Sequence, residues 1–371
     1  MDKIPLVGIK RQNEAIKGEI NKALNNTIEG SNFILGSEIE KFEKNFARFC
    51  GAKYCVSLSS GTSALELSLK AYGIGPGDEV ITVPHTFIAN AEAIVNVGAK
   101  PVFCEIDRET FTIDTDLLKN LITRKTKAIM PVDLYGQPCD LDPIIDMAKK
   151  NNLTIIEDAC QAHGAEYKGK KAGSIAPVTA FSFYPGKNLG AFGDAGAITT
   201  DNKELANKLM AIRDHGRLPN KKYEHDYIGG NYRMDELQAA ILNVKLKYLE
   251  GWVNARRKIA SKYRKSIYSE NVEHPEEADY SRHAYHLYVI RTNSRDKLME
   301  HLKSKNIYAG IHYPLPLHLQ PALKFLGYKK GDFKITEKCA DTVLSLPIFP
   351  ELRTEEIDFI LTTINNFFGK K

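Results

Sequence analysis

A single lysine, Lys187, lies in a glycine-rich turn within the segment FSFYPGKNLGAFGDAGAITT, residues 181–200. An aromatic, strand-like run precedes the turn, and a small-residue run leads from it into a second strand-like segment. A lysine that attacks an aldehyde must be held in place and must lose its proton readily. The segment therefore indicates Schiff-base chemistry at Lys187. Taken alone, it also allows an ordinary solvated lysine.

The segment LSSGTSALELSLKAYG, residues 58–73, predicts a strand end, a tight turn and a helix that begins near Thr62. The free N–H groups of a first helical turn attract phosphate, and Gly61 allows close approach of the ligand. If the aldehyde is pyridoxal phosphate, its phosphate needs such a site and its pyridine nitrogen needs a carboxylate. An ordinary helix N-cap is the alternative for this segment alone.

Asp158, in LTIIEDACQAHGA, follows a strand whose continuous apolar residues indicate burial on both faces. The carboxyl edge of such strands is where ligands bind in α/β sheets. Side chains alternate along a strand, so Glu157 and Asp158 are predicted to point to opposite faces. A helix cap or a surface ion pair is the alternative. The order of anion site, carboxylate and lysine along the chain predicts a pyridoxal phosphate site.

The elements that position these residues follow an alternating pattern over the first two-thirds of the chain. Strand-like runs alternate with amphipathic segments, which predicts an α/β layered domain with a mostly parallel sheet. Residues 234–266 are helix-like, with Gly251 as a weak point, and residues 246–371 are predicted to form a smaller second domain. The strand-like runs are YCVSL (54–58), EVITVP (79–84), PVFCEI (101–106), KAIMPVDLY (127–135), LTIIEDA (153–159), VTAFSFY (178–184) and GAITT (196–200).

Composition excludes several classes of protein. The 371 residues are 43% hydrophobic and 26% charged, with a net charge of +5, which is too weakly basic to indicate a nucleic-acid partner. The six cysteines lack metal-ligand spacing, and Cys104 and Cys160 lie in apolar runs as expected for buried side chains. No secretion signal or membrane-spanning run is evident, which predicts a protein of the reducing cytoplasm without a membrane partner.

Eight motifs spread from about residue 5 to 367 together resemble the DegT/DnrJ-type nucleotide-sugar aminotransferases. The resemblance implies an α/β fold of the pyridoxal-phosphate-dependent transferase type I class. In that class a mixed, mostly parallel sheet is flanked by helices and a smaller C-terminal α+β domain follows, here expected as 1–245 and 246–371. A homodimer with shared active sites is also implied. The motifs are SSGTSAL, VPHTFIA, PVDLYGQPCDLDPI, EDACQAHGA, FSFYPGKNLGAFGDAG, RDHG, GGNYRMDELQAA and GIHYPLPLHLQ.

The resemblance also assigns roles to single residues. Lys187 would form the Schiff base and Asp158 would pair with the pyridinium nitrogen. Phe87 would cover the ring, with His85 as a further contributor, although Phe87 could equally be a core aromatic. Asn231 would reach the phosphate from the partner subunit, with an ordinary turn residue as the alternative. The remaining implied cofactor contacts are Gly61, Thr62 and Ser182 at the phosphate and Gln161 at the ring hydroxyl.

The implied reaction is transamination, because similar proteins that dehydrate sugars carry histidine at the position of Lys187. L-Glutamate is the implied donor, and a dTDP-linked 3-keto-6-deoxyhexose is favoured over 4-keto or UDP-linked sugars. Two other classes of protein are alternatives to an aminotransferase. One is a regulatory protein that binds the cofactor without turnover, and the other is a cysteine desulfurase. The expected substrate contacts, with local packing as the alternative, are Tyr184, His312, Tyr313 and His318. Two histidines six residues apart make a poor zinc pair, so no metal is expected.

Overall fold

The computed structural model describes residues 3–218 and 223–369, and a seven-stranded sheet lies at its centre. Each of the seven predicted strand-like runs contributes one strand to this sheet. The strands in chain order are β1 (Tyr54–Leu58), β2 (Glu79–Thr82), β3 (Lys100–Phe103), β4 (Thr126–Ile129), β5 (Thr154–Asp158), β6 (Glu166–Tyr167), β7 (Lys170–Lys171), β8 (Val178–Ser182), β9 (Gly196–Thr200), β10 (Ser281–Arg282), β11 (Tyr288–Arg291) and β12 (Val343–Leu346). The strand order in the central sheet is β1-β9-β8-β5-β4-β2-β3.

The central sheet is mixed but mostly parallel. Strands β3, β2, β4, β5 and β8 pair in parallel, whereas β9 pairs antiparallel with both β8 and β1. Strand β1 therefore runs in the same direction as β8, and β9 alone is reversed. As a result, the ends of β1, β5 and β8 and the start of β9 meet at one edge of the sheet.

Helices cover both faces of the sheet because its buried side chains alternate between two apolar faces. The helices in chain order are α1 (Ile9–Ala15), α2 (Lys17–Gly30), α3 (Ser37–Cys50), α4 (Gly61–Ala71), α5 (Ala89–Asn96), α6 (Leu141–Asn151), α7 (Lys203–Arg213), α8 (Glu236–Leu246), α9 (Leu249–Ser266), α10 (Arg295–Ser304), α11 (Lys334–Thr342) and α12 (Thr354–Phe368). Helices α4, α5 and α7 pack on one face of the sheet, and α3, α6 and α8 pack on the other.

The long helix-like stretch is interrupted, but not where the sequence indicated. Gly251 lies inside α9, and the break falls at Lys247 and Tyr248. There the backbone forms turns with hydrogen bonds between residues three apart, such as the bond from Tyr248 N–H to Lys245 O at 3.0 Å. The prediction of a weak point at Gly251 was therefore wrong, because a glycine in the first turn of a helix does not by itself end it.

The C-terminal part has its own apolar cluster around the antiparallel pair β11 and β12. Helices α9, α10 and α12 pack on this cluster, and so does Ile4, which forms a parallel bridge with Ile307. The boundary between residues 245 and 246 falls at the end of α8 and stays a prediction. Within residues 3–218 and 223–369, no helix is both long and apolar enough to span a bilayer.

Candidate active site

A cavity of about 610 Å³ opens at the edge of the sheet where β1, β5 and β8 end. Ten of the residues singled out from the sequence line it together, although they come from segments far apart in the chain. These residues are Gly61, Thr62, Phe87, Asp158, Gln161, Ser182, Tyr184, Lys187, His312 and Tyr313.

The backbone around Gly61 forms one end of the cavity. A methyl group on Gly61 would lie 2.6 Å from Ser182 Cβ and 2.9 Å from Cys160 Sγ, so the position admits only glycine without rearrangement. The Ser60 hydroxyl caps α4 by accepting from Ser63 N–H at 3.0 Å. Among the described residues, no acceptor engages the N–H groups of Gly61 or Thr62. These two donors at a helix N-terminus, beside the Ser182 hydroxyl, suit a phosphate group.

Asp158 is buried at the deep side of the cavity and is held by hydrogen bonds at both carboxylate oxygens. Its Oδ2 accepts from Asn90 Nδ2 at 2.9 Å, and its Oδ1 accepts from Cys160 N–H at 3.0 Å. Glu157 is fully buried on the opposite face, where its Oε2 accepts from Thr179 Oγ1 at 2.6 Å. The prediction that the two carboxylates point apart is confirmed, and Asp158 is the one that reaches the cavity.

Lys187 lies in a turn in which its N–H donates to Tyr184 O at 2.9 Å. Burial lowers the pKa of its side chain, against the opposing influence of Cys160 and Asp158. A lowered pKa increases the fraction of neutral amine, which is the form that attacks a carbonyl. The environment therefore suits a nucleophilic lysine.

Gln161 joins the sheet edge to the C-terminal part of the chain. Its Oε1 accepts from Tyr135 N–H at 2.8 Å, and its Nε2 donates to the Tyr313 hydroxyl at 3.2 Å. The Tyr135 hydroxyl lies 2.9 Å from His85 Nε2 and also donates to His312 O. These contacts bring residues 312 and 313 over the cavity and leave one Gln161 N–H for a ligand.

Aromatic side chains stand at the opening of the cavity. Phe87 and Tyr184 are 52% and 59% exposed, and the Phe87 ring centroid lies 5.8 Å from that of Tyr313. His312 Nδ1 hydrogen-bonds Ser345 Oγ at 2.8 Å, and burial lowers the pKa of this imidazole to about 4. His312 therefore faces the cavity as a neutral ring at physiological pH.

Three of the singled-out residues lie elsewhere. His318 is buried outside the cavity, where its Nε2 lies 2.9 Å from Glu337 Oε1 and its ring packs on Phe333. We therefore withdraw it from the expected substrate contacts, since its Nε2 is engaged by Glu337 and its ring by Phe333. His85 is likewise buried beside Tyr135 and does not line the cavity. Asn231 is exposed and bridges Asp214, so its contact with a partner subunit stays a prediction.

Other lining residues escaped the sequence analysis. Asn90, which anchors Asp158, was missed because its partner is 68 positions away in the chain. Cys160 lines the cavity and is half-buried, so the expectation of a plain buried side chain was wrong. His286 and the N-terminal Leu6 also line the cavity, and no local motif marked either of them.

Comparison with known proteins identifies the family. The model of the DegT/DnrJ/EryC1/StrS aminotransferase family matches residues 14–365. The chain belongs to this family. It is 44% identical, over 98% of its length and 99% of the relative, to the dTDP-3-amino-3,6-dideoxy-alpha-D-galactopyranose transaminase of Aneurinibacillus thermoaerophilus. It is also 44% identical, over 98% of each chain, to a "pleiotropic regulatory protein" of Geobacillus stearothermophilus. A UDP-2-acetamido-2-deoxy-3-oxo-D-glucuronate aminotransferase of Pseudomonas aeruginosa is 39% identical over 98% and 100% of the two chains.

Solved structures agree with this membership. S. venezuelae DesV, crystallised in complex with a ketimine intermediate, superposes with a TM-score of 0.97 at 38% identity over 100% of both chains. NtdA of Bacillus subtilis, solved with bound cofactor PMP, gives 0.90 at 32% identity over 99% of this chain and 86% of NtdA. The fold is that of pyridoxal-phosphate-dependent aminotransferases, and the protein is an enzyme of this type.

The residues of the cavity fit pyridoxal phosphate. The close-packed backbone at Gly61 offers two N–H donors to a phosphate, and the buried Asp158 offers a carboxylate to a ring nitrogen. Lys187, with its lowered pKa, opens onto the same cavity. Among the described residues, no group of three or more histidine, cysteine or acidic side chains is arranged to hold a metal ion.

Proposed function

We propose that the protein transfers the amino group of L-glutamate to the keto carbon of a nucleotide-linked sugar, with a dTDP-linked 3-keto-6-deoxyhexose as substrate. The products are 2-oxoglutarate and the corresponding amino sugar nucleotide. The observation that carries the proposal is that Lys187, Asp158 and the N–H groups of Gly61 and Thr62 converge on one cavity. Relatives that act on dTDP-linked and UDP-linked sugars support the class of substrate.

The proposed cofactor contacts combine the roles implied by the family resemblance with the chemistry of the side chains. Gly61, Thr62 and Ser182 would hold the phosphate, and Asp158 would pair with the protonated ring nitrogen. When bound, pyridoxal phosphate supplies an aldehyde that links to amines and a ring that accepts electron density. Gln161 would donate its free N–H to the ring hydroxyl, and Phe87 would cover the ring. We further propose that Asn231 of the partner subunit completes the phosphate contacts in a homodimer.

Lys187 would move the protons of the reaction. Its amine removes the proton from the α-carbon of L-glutamate in the first half-reaction. In the second half-reaction it returns a proton to the sugar carbon that receives the nitrogen. A general base works best when its pKa lies near the operating pH, and burial lowers the pKa of Lys187 in that direction.

The cavity favours a deoxy sugar over a uronic acid. Its described lining includes apolar and aromatic side chains such as Leu6, Leu287 and Tyr313, and Lys187 is the one lysine or arginine in it. A sugar carboxylate would need a cationic partner, whereas a 6-methyl group suits apolar surroundings. Tyr184 and the neutral His312 would contact the sugar hydroxyl groups.

A substrate panel tests the proposal. The purified enzyme is incubated with ¹⁵N-labelled L-glutamate and with dTDP- and UDP-linked 3-keto and 4-keto sugars, and the products are analysed by mass spectrometry. We expect label in the dTDP-linked 3-amino-6-deoxyhexose. Exclusive labelling of a UDP-linked or 4-amino product would contradict the choice of substrate but not the reaction type.

The first residue prediction concerns the lysine itself. We expect Lys187→Ala to lose turnover by at least a factor of about 10³, because general acid–base catalysis and the covalent link both depend on this amine. The variant should still bind pyridoxal phosphate non-covalently, which equilibrium dialysis would measure. Borohydride should fix cofactor to residue 187 of the unmutated protein but to no residue of the variant.

A regulatory role is the second candidate, since one relative is named a pleiotropic regulatory protein. The presence of both Lys187 and Asp158 in the cavity favours turnover, because a sensor would not need both. Adding L-glutamate to the holoenzyme separates the two roles. We expect a change in the visible absorbance and formation of 2-oxoglutarate, and a spectrum that stays constant would favour the regulator.

A further inference from the structure

Lys245 is a fully buried lysine outside the cavity, on helix α8. Its Nζ donates to Gly190 O at 2.8 Å and lies 4.9 Å from the centre of the Phe192 ring. Among the described residues, no carboxylate lies within ion-pair distance of this ammonium group. A lysine is rarely buried without an anionic partner, because removing its charge from water is costly. The contact with Gly190 therefore calls for a specific explanation.

Gly190 belongs to the segment that immediately follows Lys187. This segment is held at neighbouring points by hydrogen bonds to other elements. Gln238, seven residues before Lys245 on α8, accepts from Phe192 N–H at 2.8 Å. The side chain of Asn188 donates to Ala284 O at 3.1 Å. Residues seven apart lie on the same side of a helix, so one side of α8 binds the segment twice.

The segment has little room to adjust by itself. A methyl group on Gly190 would lie 2.4 Å from Pro185 O, so the chain folds back tightly on the residues before Lys187. Ala191 N–H donates to Phe183 O at 2.8 Å and closes the loop. A displacement of Gly190 is therefore transmitted to the turn that carries Lys187.

We propose that Lys245 and Gln238 are positioning residues that hold the Lys187 turn in the place from which the Lys187 amine reaches the cofactor aldehyde. The inference rests on the proposed role of Lys187. Neither side chain touches the cavity, so each acts through the backbone of residues 190–192. Their effect should appear in the rate at which Lys187 captures the aldehyde and not in the binding of the phosphate.

The test measures capture of pyridoxal phosphate by the apoenzyme. Samples are quenched with borohydride at intervals, and the reduced adduct at residue 187 is quantified by peptide mass spectrometry. Lys245→Met keeps the length of the side chain but removes the donor, and Gln238→Met removes the acceptor. We expect each variant to form the adduct at least tenfold more slowly than the unmutated apoenzyme. Lys247→Met is the matched control, since Lys247 is an exposed lysine on the same stretch paired with Glu19, and it should leave the rate unchanged.

A second comparison separates positioning from a loss of structure. In the Lys187→Ala background, adding Lys245→Met should change the non-covalent affinity for pyridoxal phosphate by less than threefold. Unchanged capture rates in both Lys245→Met and Gln238→Met would overturn the proposal. A parallel fall in non-covalent affinity would also overturn it, because that result indicates general damage to the site. If Lys245→Met does not fold, Gln238→Met decides. Absence of any adduct at Lys187 in the unmutated protein would refute the proposed function instead.

Discussion

Gly61 occupies a position where a methyl group does not fit. Such a group would lie 2.6 Å from Ser182 Cβ and 2.9 Å from Cys160 Sγ, which is closer than van der Waals packing allows. The small size of this residue thus shapes the end of the cavity that we propose holds the phosphate. The role of Gly61 depends on its lack of a side chain, so a substitution by alanine can test it.

We expect Gly61→Ala to weaken binding of pyridoxal phosphate about tenfold or more, because overpacking at one contact costs roughly 1–3 kcal/mol. Fluorescence titration of the apoenzyme would measure this affinity. A loss of affinity with little change in the melting temperature would assign the effect to the site. Affinity equal to that of the unmutated protein would show that Cys160 and Ser182 move aside freely.

Single residues also mark the limits of sequence analysis. Lys187 and Asp158 were identified because the residues next to each of them in the sequence form a distinctive pattern. His318 was assigned to the substrate because it belongs to the segment HYPLPLH, which the family resemblance places near the sugar, yet its ring is buried against Phe333. Asn90 was missed because its contact with Asp158 depends on how two distant segments meet. Nearness along the chain therefore predicted turns and strand ends but not long-range partners.

At the scale of elements, β5 and the segment after β4 are joined by two buried acids. Asp133 and Glu157 are both fully buried, and each has one carboxylate oxygen without a conventional donor, Asp133 Oδ2 and Glu157 Oε1. Burial and their mutual repulsion raise the pKa of Asp133 well above its usual range, and burial also raises the pKa of Glu157. We therefore expect the pair to retain one proton in the folded state. Asp133 N–H also donates to Asp158 O at 3.0 Å, so the pair supports the strand that carries Asp158.

A retained proton makes stability depend on pH. Above the usual carboxyl pKa near 4, the unfolded chain releases this proton while the folded protein keeps it. Stability therefore falls as pH rises towards the folded pKa, by up to about 1.4 kcal/mol per pH unit for one proton. Asp133→Asn supplies an N–H to Glu157 and should remove this dependence. Urea unfolding at pH 5, 7 and 8.5 should show the variant gaining stability relative to the unmutated protein as pH rises, and parallel curves would contradict the shared proton.

Helix α9 offers a second prediction at this scale, at the glycine in its first turn. Gly251 lies inside α9 and is exposed, and a methyl group added to it would have no neighbouring atom within 4 Å outside its own turn of helix. Because alanine favours the helix over glycine, Gly251→Ala should raise the free energy of unfolding by about 0.5–1 kcal/mol. Chemical denaturation measures the change, with activity as the control for an unaltered site. Destabilisation would imply that the helix needs a glycine here.

At the scale of the whole molecule, Arg256 links helix α9 to two segments of the C-terminal part. Its Nη1 donates to the carbonyl oxygens of Tyr285, His286 and Ile348, the last at 2.8 Å. A basic cluster such as that of residues 256–265 usually forms a solvated helix face, but the Arg256 side chain is buried. Charge alone could not reveal this, because the carbonyl groups that bind the guanidinium are backbone atoms from other elements.

We expect Arg256→Met to lower the free energy of unfolding by about 2–4 kcal/mol, because buried carbonyl groups lose a charged donor. Lys258→Met, two residues further along and exposed, should change stability by less than about 0.5 kcal/mol. Differential scanning calorimetry of the two variants would compare them directly. Equal melting temperatures for both would show that Arg256 contributes no more than a surface residue.

The reversed strand β9 has a consequence for biosynthesis of the protein. Because β9 is inserted between β1 and β8, residue 54 finds its partner only when residue 200 is available. Pairings so distant in sequence form slowly, and they cannot form on the ribosome until that part of the chain has emerged. A nascent chain released before β9 would thus expose the edges of β1 and β8 with the glycine-rich turn still unplaced. Capture of vitamin B6 aldehyde would then serve as a late marker of completed folding.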